Sequence, residues 1–187
     1  MTGILPQTLT VGGRALPIRA DFRNVLRIFE AAADEHLTDD EKAFICLKRL
    51  YAVPVPLIHG EEALRQAYRF CDGGDMPKSK PMPVRVLDWK HDEQILLPAV
   101  SRAAGVPDIR ALPFLHWWTF LGLFGEIGEG LFSTVMHIRQ KRARGKKLEK
   151  WEQEFLAQNK ELVILRTAQE QAEIDETEAF LRKLTGG

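Results

Sequence analysis

Five histidines, at positions 36, 59, 91, 116 and 137, and two cysteines, Cys46 and Cys71, are the residues of this chain best suited to ligation or nucleophilic attack. Metal binding needs ligands converging from close or paired positions. The chain contains no His-x-x-x-His pair and no Cys-x-x-Cys pair. His91-Asp92-Glu93 looks reactive, but successive helical positions point in different directions, so a solvated helix start accounts for it. His116 stands before Trp117-Trp118, where a hydrogen-bonded histidine at the edge of a core is the simpler reading than a base in an aromatic pocket. Glycines 122, 125, 128 and 130 lack the Gly-Lys-Ser/Thr ending that grips phosphate and Mg²⁺. No serine or threonine has a nucleophile-elbow setting. The expectation is a protein with no catalytic residues, no metal and no cofactor.

Charge is more informative than chemistry. The 187 residues carry 26 Lys plus Arg against 26 Asp plus Glu, so no net field draws in nucleic acid or a membrane surface. The two signs are nevertheless separated near the end. Residues 139–150 hold seven bases and one acid, whereas 151–178 hold eight acids and two bases. Such a pattern fits a solvated helical hairpin with offsetting ends, or a protein-docking tail. Nucleic acid is disfavoured, because the acids would oppose phosphate. The longest apolar stretch, Phe114 to Ile127, covers 14 positions and is interrupted by polar residues, too short for the ~20 needed to cross a bilayer. With no secretory signal pattern at the start and few cysteines, the expectation is a soluble protein of a reducing cytoplasm.

The elements that would carry these residues are mostly helical. Leu9-Thr10-Val11 and Ala15-Leu16-Pro17-Ile18 flank Gly12-Gly13, which suits a tight hairpin turn. Asp21 is a predicted N-cap for a stripe of Phe22, Val25, Leu26, Phe29 and Ala33. Thr38-Asp39-Asp40-Glu41 reads as a capping box, opening a helix with Phe44, Leu47, Leu50 and Tyr51 before Pro54 and Pro56 stop it. A third helix is predicted over 61–70, with Leu64, Ala67 and Tyr68 on one face and Gly73-Gly74 closing it. Residues 72–83 hold three prolines and two glycines and are expected to form a flexible loop. Val84–Leu87 fits either a short strand or a lead-in to the next helix, which Asp88 would cap and Gly105 end, with Pro98 kinking it.

Pro113 should open a helix running to Phe124. Five of the chain's sixteen aromatics fall in those positions, so Phe114, Trp117, Trp118, Phe120 and Phe124 are the expected core organisers. Leu131, Val135 and Ile138 make a short stripe, and a long helix is expected from Leu148 to Leu184. Along it Trp151, Phe155, Leu162 and Leu165 form a stripe that either closes the core or docks a partner helix, and the pattern fades near 169. The fold class expected is therefore all-α: a single helical domain over 1–147 with a minor N-terminal β-hairpin, then a C-terminal helix over 148–187 whose distal part projects.

Several short segments, taken in order, resemble the bacteriophage Gp15-type proteins of long-tailed phages and prophages. They are Asp21-Phe22-Arg23, Leu37-Thr38-Asp39-Asp40-Glu41-Lys42, Phe70-Cys71-Asp72-Gly73-Gly74, Val86-Leu87-Asp88-Trp89-Lys90-His91-Asp92, Leu115-His116-Trp117-Trp118-Thr119-Phe120, and Ile138-Arg139 with the lysines beyond it. The match runs over roughly residues 8–165. The resemblance implies a tail assembly chaperone in the host cytoplasm, its genes lying between those of the major tail protein and the tape measure. The partners implied are the tape-measure protein, the major tail (tube) protein and a smaller upstream tail assembly chaperone, with self-association open. The alternative it leaves is a structural tail completion or connector protein retained in the virion.

Overall fold

The computed structural model describes residues 3–74 and 86–165. The chain divides into two compact units, one of Met1–Pro81 and Trp89–Thr134, the other of Met82–Asp88 and Val135–Gly187. The expected boundary at 147/148 falls inside the second unit. Among the described residues the chain is mostly helical, with a small antiparallel hairpin. No described helix is long and apolar enough to cross a membrane.

In the first unit, β1 (Thr8–Val11) pairs with β2 (Arg14–Pro17), Leu9 opposite Leu16. Gly12 and Gly13 both take positive φ, 57° and 72°, which is the two-residue turn that twisted strands require. The tip is pinned: Gly12 N–H donates to Glu62 Oε2 at 2.9 Å, and a Cβ at Gly12 would lie 2.4 Å from the His59 ring. Pro17 lacks an N–H, yet its carbonyl still accepts from Ala52 N–H at 2.9 Å, so the hairpin is tied down on the side where proline cannot donate.

Helix α1 (Phe22–Ala33) starts at Asp21, whose carboxylate accepts from Arg23 N–H, and α2 (Asp39–Leu50) starts with the complete Thr38/Glu41 capping box. Both predicted starts hold. The buried faces lie slightly off the predicted stripes. In α1 they are Phe22, Val25 and Ile28, with Ala33 exposed; in α2 they are Cys46 and Leu50, and Phe44 faces solvent. Helix α3 (Gly60–Cys71) buries Ala63, Ala67, Phe70 and Cys71, while Tyr68 is half exposed. Gly73 and Gly74, both at positive φ, close it as expected, with Gly74 N–H returning to Arg69 O at 2.8 Å. Most of the expected 72–83 loop, residues 75–83, lies outside the described residues.

Two helix starts differ from the sequence expectation. Helix α4 (Glu93–Ala103) starts after Asp92 rather than Asp88, and residues 89–92 form turns that free Trp89 to pack by itself. Pro98 does lie within α4, on its exposed face, and Gly105 follows the helix end at φ 67°. Helix α5 (Trp117–Gly125) begins four residues after Pro113, because 113–116 are held extended by the first turn of α1. Phe114 therefore stands outside the helix and is 50% exposed, while Trp117 and Phe120 are fully buried, and Trp118 and Phe124 partly so. Around them Phe22 stacks on Phe120 at 5.0 Å, Trp117 on Phe120 at 5.4 Å, and Phe29 on Trp89 at 5.6 Å. This cluster is the core of the first unit.

In helix α6 (Leu131–Ala143) Val135 and Ile138 are buried as expected, but Leu131 is half exposed and Phe132 is buried. The expected long C-terminal helix is interrupted. Helix α7 (Lys150–Gln158) and helix α8 (Lys160–Val163) meet at Asn159, whose φ −125°, ψ 41° is not helical and whose side chain donates to Phe155 O at 2.9 Å. The remainder of that expected helix, 166–187, lies outside the described residues.

Candidate functional site

Three of the segments that carry the family resemblance, those around Asp21-Phe22-Arg23, Phe70-Cys71 and His116-Trp117-Trp118, meet at one junction of the first unit, where they close helix ends. The last carbonyls of α3 have no partner within the helix. The two indoles supply one each: Trp117 Nε1–H donates to Cys71 O at 2.8 Å and Trp118 Nε1–H to Phe70 O at 2.9 Å. His116 caps α5, its Nδ1 accepting from Trp118 N–H at 3.0 Å. With Nδ1 accepting, Nε2 carries the proton and donates to Pro6 O at 3.0 Å, which ties the N-terminal segment to the same point. Asp21 accepts from Leu115 N–H at 3.1 Å, Phe22 N–H donates to Leu115 O at 2.9 Å, and Trp117 N–H to Ala20 O at 2.8 Å. Arg23 pairs with Asp21 at 2.9 Å and reaches the carbonyls of Arg110 (3.1 Å) and Leu112 (2.5 Å). Asp-Phe-Arg and His-Trp-Trp thus build the scaffold.

Beside that junction the first unit keeps apolar groups in water. Phe114 packs edge-on against the His116 ring at 6.4 Å, and Trp118 also meets the His116 ring edge-on, at 6.2 Å. Ile4 and Leu5, just before the tethered Pro6, are also exposed, Ile4 at 81%. At Gly74 a Cβ would come within 3.1 Å of the Trp118 ring at a φ of +85°, so only glycine leaves that ring in place. A separate pair, Leu57 (100%) and Ile58 (88%), protrudes after Val53-Pro54-Val55-Pro56.

In the second unit, the residues expected to bind a partner are divided between elements. Trp151 is 50% exposed and Phe155 half-buried on α7, four residues apart and so on one face. Leu162 and Leu165 are half-buried on and after α8, beyond the break at Asn159. The four do not form one continuous helical stripe. Two charged residues that carry no signal in an apolar pattern organise this unit. Arg139, 5% exposed, donates from Nε to Val163 O at 2.9 Å, from Nη2 to Leu162 O at 2.5 Å, and from Nη1 to Val86 O at 3.0 Å. It therefore caps the C-terminus of α8 from α6, much as Arg19 caps α2 by donating to Lys48 O at 3.0 Å and to Tyr51 O. Glu152, fully buried, accepts from Lys141 Nζ at 2.6 Å and from Glu149 N–H at 2.7 Å, with His137 Nε2 at 3.2 Å. Burial pushes its carboxyl up, but the Lys141 bond and the Glu149 N–H outweigh that and hold it below the usual value, while Lys141 is raised by the same bond.

Cys46 and Cys71 are buried, and burial pushes both thiols up, Cys46 to about 11, so they stay protonated and unreactive. Among the described residues no cluster of His, Cys, Asp or Glu is arranged to hold a metal ion. The exposed groups that stand out are apolar in the first unit and, in the second, Trp151 beside a run of exposed cations.

The family described as bacteriophage Gp15 protein matches residues 1–165. No curated protein and no solved structure matches the chain.

Proposed function

Because the chain belongs to the bacteriophage Gp15 protein family, we propose that it is a tail assembly chaperone, which keeps the tape-measure protein soluble and helps to recruit tail-tube subunits during tail morphogenesis. The observation that carries this reading is the family match over 1–165. The exposed apolar groups support it. A tape measure is a long, largely helical chain whose apolar stripes aggregate unless covered, and exposed Phe114, Leu57, Ile58 and Trp151 offer apolar surface for such contacts. The role asks for reversible contact and no bond chemistry, so the protein acts without catalysis or cofactor. It works in the host cytoplasm beside the tape-measure protein, the major tail protein and a smaller upstream chaperone.

Co-expression with the tape-measure protein of the same phage tests the reading. The soluble tape-measure fraction should rise several-fold over expression alone, and mass spectrometry of purified virions should find no stoichiometric copy of this chain. A stoichiometric copy in the virion would instead make it a structural completion or connector protein. An unchanged soluble fraction would remove the chaperone role.

A further inference from the structure

The end of α6 and the start of α7 form a basic elbow around Trp151. Arg142, Lys146 and Lys147 are exposed there and, among the described residues, make no ion pair; Lys150 reaches only Glu154, at 4.0 Å. The acids on the spot are already engaged: Glu152 with Lys141, and Glu149 with Lys141 at 3.5 Å and the Trp151 indole at 3.0 Å. Like charges at this density repel one another and call for a counter-charge. The described chain ends beside them. Val163 O is held by Arg139, one helical turn before Arg142 on the same helix, and Leu165 follows two residues later.

What continues from Leu165 has complementary charge. Residues 167–181 contain Glu170, Glu173, Asp175, Glu176 and Glu178 and no base, together with Ile174, Phe180 and Leu181. We propose that this acidic segment of the same chain docks on the basic elbow, its carboxylates against Arg142, Lys146, Lys147 and Lys150 and its apolar residues against half-exposed Trp151 and Ile164. Reach is not a constraint. The 22 residues after Leu165 span about 33 Å if helical and more if extended, whereas Arg142 is about one helical turn from the Arg139–Val163 contact. A tether this short gives an effective concentration of order millimolar, so each weak ion pair is occupied without high intrinsic affinity. The docked segment covers Trp151 and cancels the local positive field, so a partner for that face must displace it. The contact itself does not depend on which partner that is.

Zero-length carbodiimide coupling of the full-length protein, read by peptide mass spectrometry, tests this. At low salt, Lys146, Lys147 or Lys150 should form isopeptide bonds with acids of 167–181, and the yield should fall about five-fold or more in 1 M salt, where screening acts within about 3 Å. The Lys141–Glu149 pair, 3.5 Å apart with its carboxylate open to the reagent, is the internal control and should couple in both salts. A mixture of light and heavy-nitrogen protein should give elbow–tail links within one isotope only. Coupling of the control without any elbow–tail link overturns the proposal. Links of mixed isotope overturn it too, since they place the tail on a second copy.

Discussion

Arg139 is the residue whose removal best tests how the second unit is held together. Its guanidinium donates to three carbonyls and joins two separate stretches of backbone there, at Val86 and at Leu162-Val163. Two of the carbonyls belong to the last turn of α8, where intrahelical partners are lacking. In Arg139→Leu the side chain keeps most of its apolar volume and loses all three donors. Hydrogen bonds from a charged donor contribute about 1.5–3 kcal/mol each, and the desolvation of the buried cation, recovered on mutation, offsets part of that. With two of the three sites partly open to water, the expected net loss is about 3 kcal/mol. That is a large share of the stability of a unit this small. Because a four-residue helix cannot persist unsupported, the loss should appear first in α8. Amide hydrogen exchange at 160–165 should accelerate about a hundredfold, with α1 and α5 unchanged. Arg139→Lys, which can satisfy fewer of the carbonyls, should fall between. If exchange at 160–165 in Arg139→Leu stays within a factor of three of the parent, the capping argument is wrong and α8 is held by Val163 packing alone.

The two adjacent tryptophans should differ: Trp117→Ala is expected to cost about 3–5 kcal/mol in denaturant unfolding, as for a fully buried aromatic, and Trp118→Ala, on the partly exposed side, about 1–2 kcal/mol. Equal costs would refute the burial assigned to them. Arg23→Ala releases the carbonyls of Arg110 and Leu112, so tryptic cleavage after Arg110 should speed up about tenfold, equivalent to ~1.4 kcal/mol of local opening; an unchanged rate would show that Asp21 alone holds the 109–115 segment. The Glu152 carboxyl is depressed in the folded state, so its ion pair stabilises the second unit above the ordinary glutamate value of 4.5 and is lost as the pH falls through the lower folded value. Lys141 is raised, so its contribution holds up to its ordinary 10.5 and is lost above that. Amide exchange in α7 should therefore be slowest between those limits and rise in acid, and Glu152→Gln should flatten the acid limb.

Short-range physics made much of the fold legible in the sequence. Asp21, the Thr38/Glu41 capping box and the Gly12-Gly13 turn act within four residues of themselves, so their types and spacing suffice to place the starts of α1 and α2 and the hairpin. The family resemblance was legible for the same reason, as short ordered motifs, and the family match confirms it. Tertiary structure decided the rest. Pro113 is compatible with a helix start, yet 113–116 stay extended because their hydrogen bonds go to Ala20, Asp21 and Phe22, more than ninety residues earlier. The same competition turned Phe114 outward. Phe44 and Leu131 face solvent because a period of 3.6 marks a stripe, but the angle of the neighbouring helix selects which edge of it is buried. Arg139 lies in a stretch that reads as a solvated basic run and Glu152 in one that reads as a solvated acidic run; nothing local distinguishes a charged side chain in water from one whose charge is answered by carbonyls or an opposite charge from another element. Periodicity records what a residue would prefer by itself. Burial of a charge depends on partners that only the closed chain brings within 3 Å.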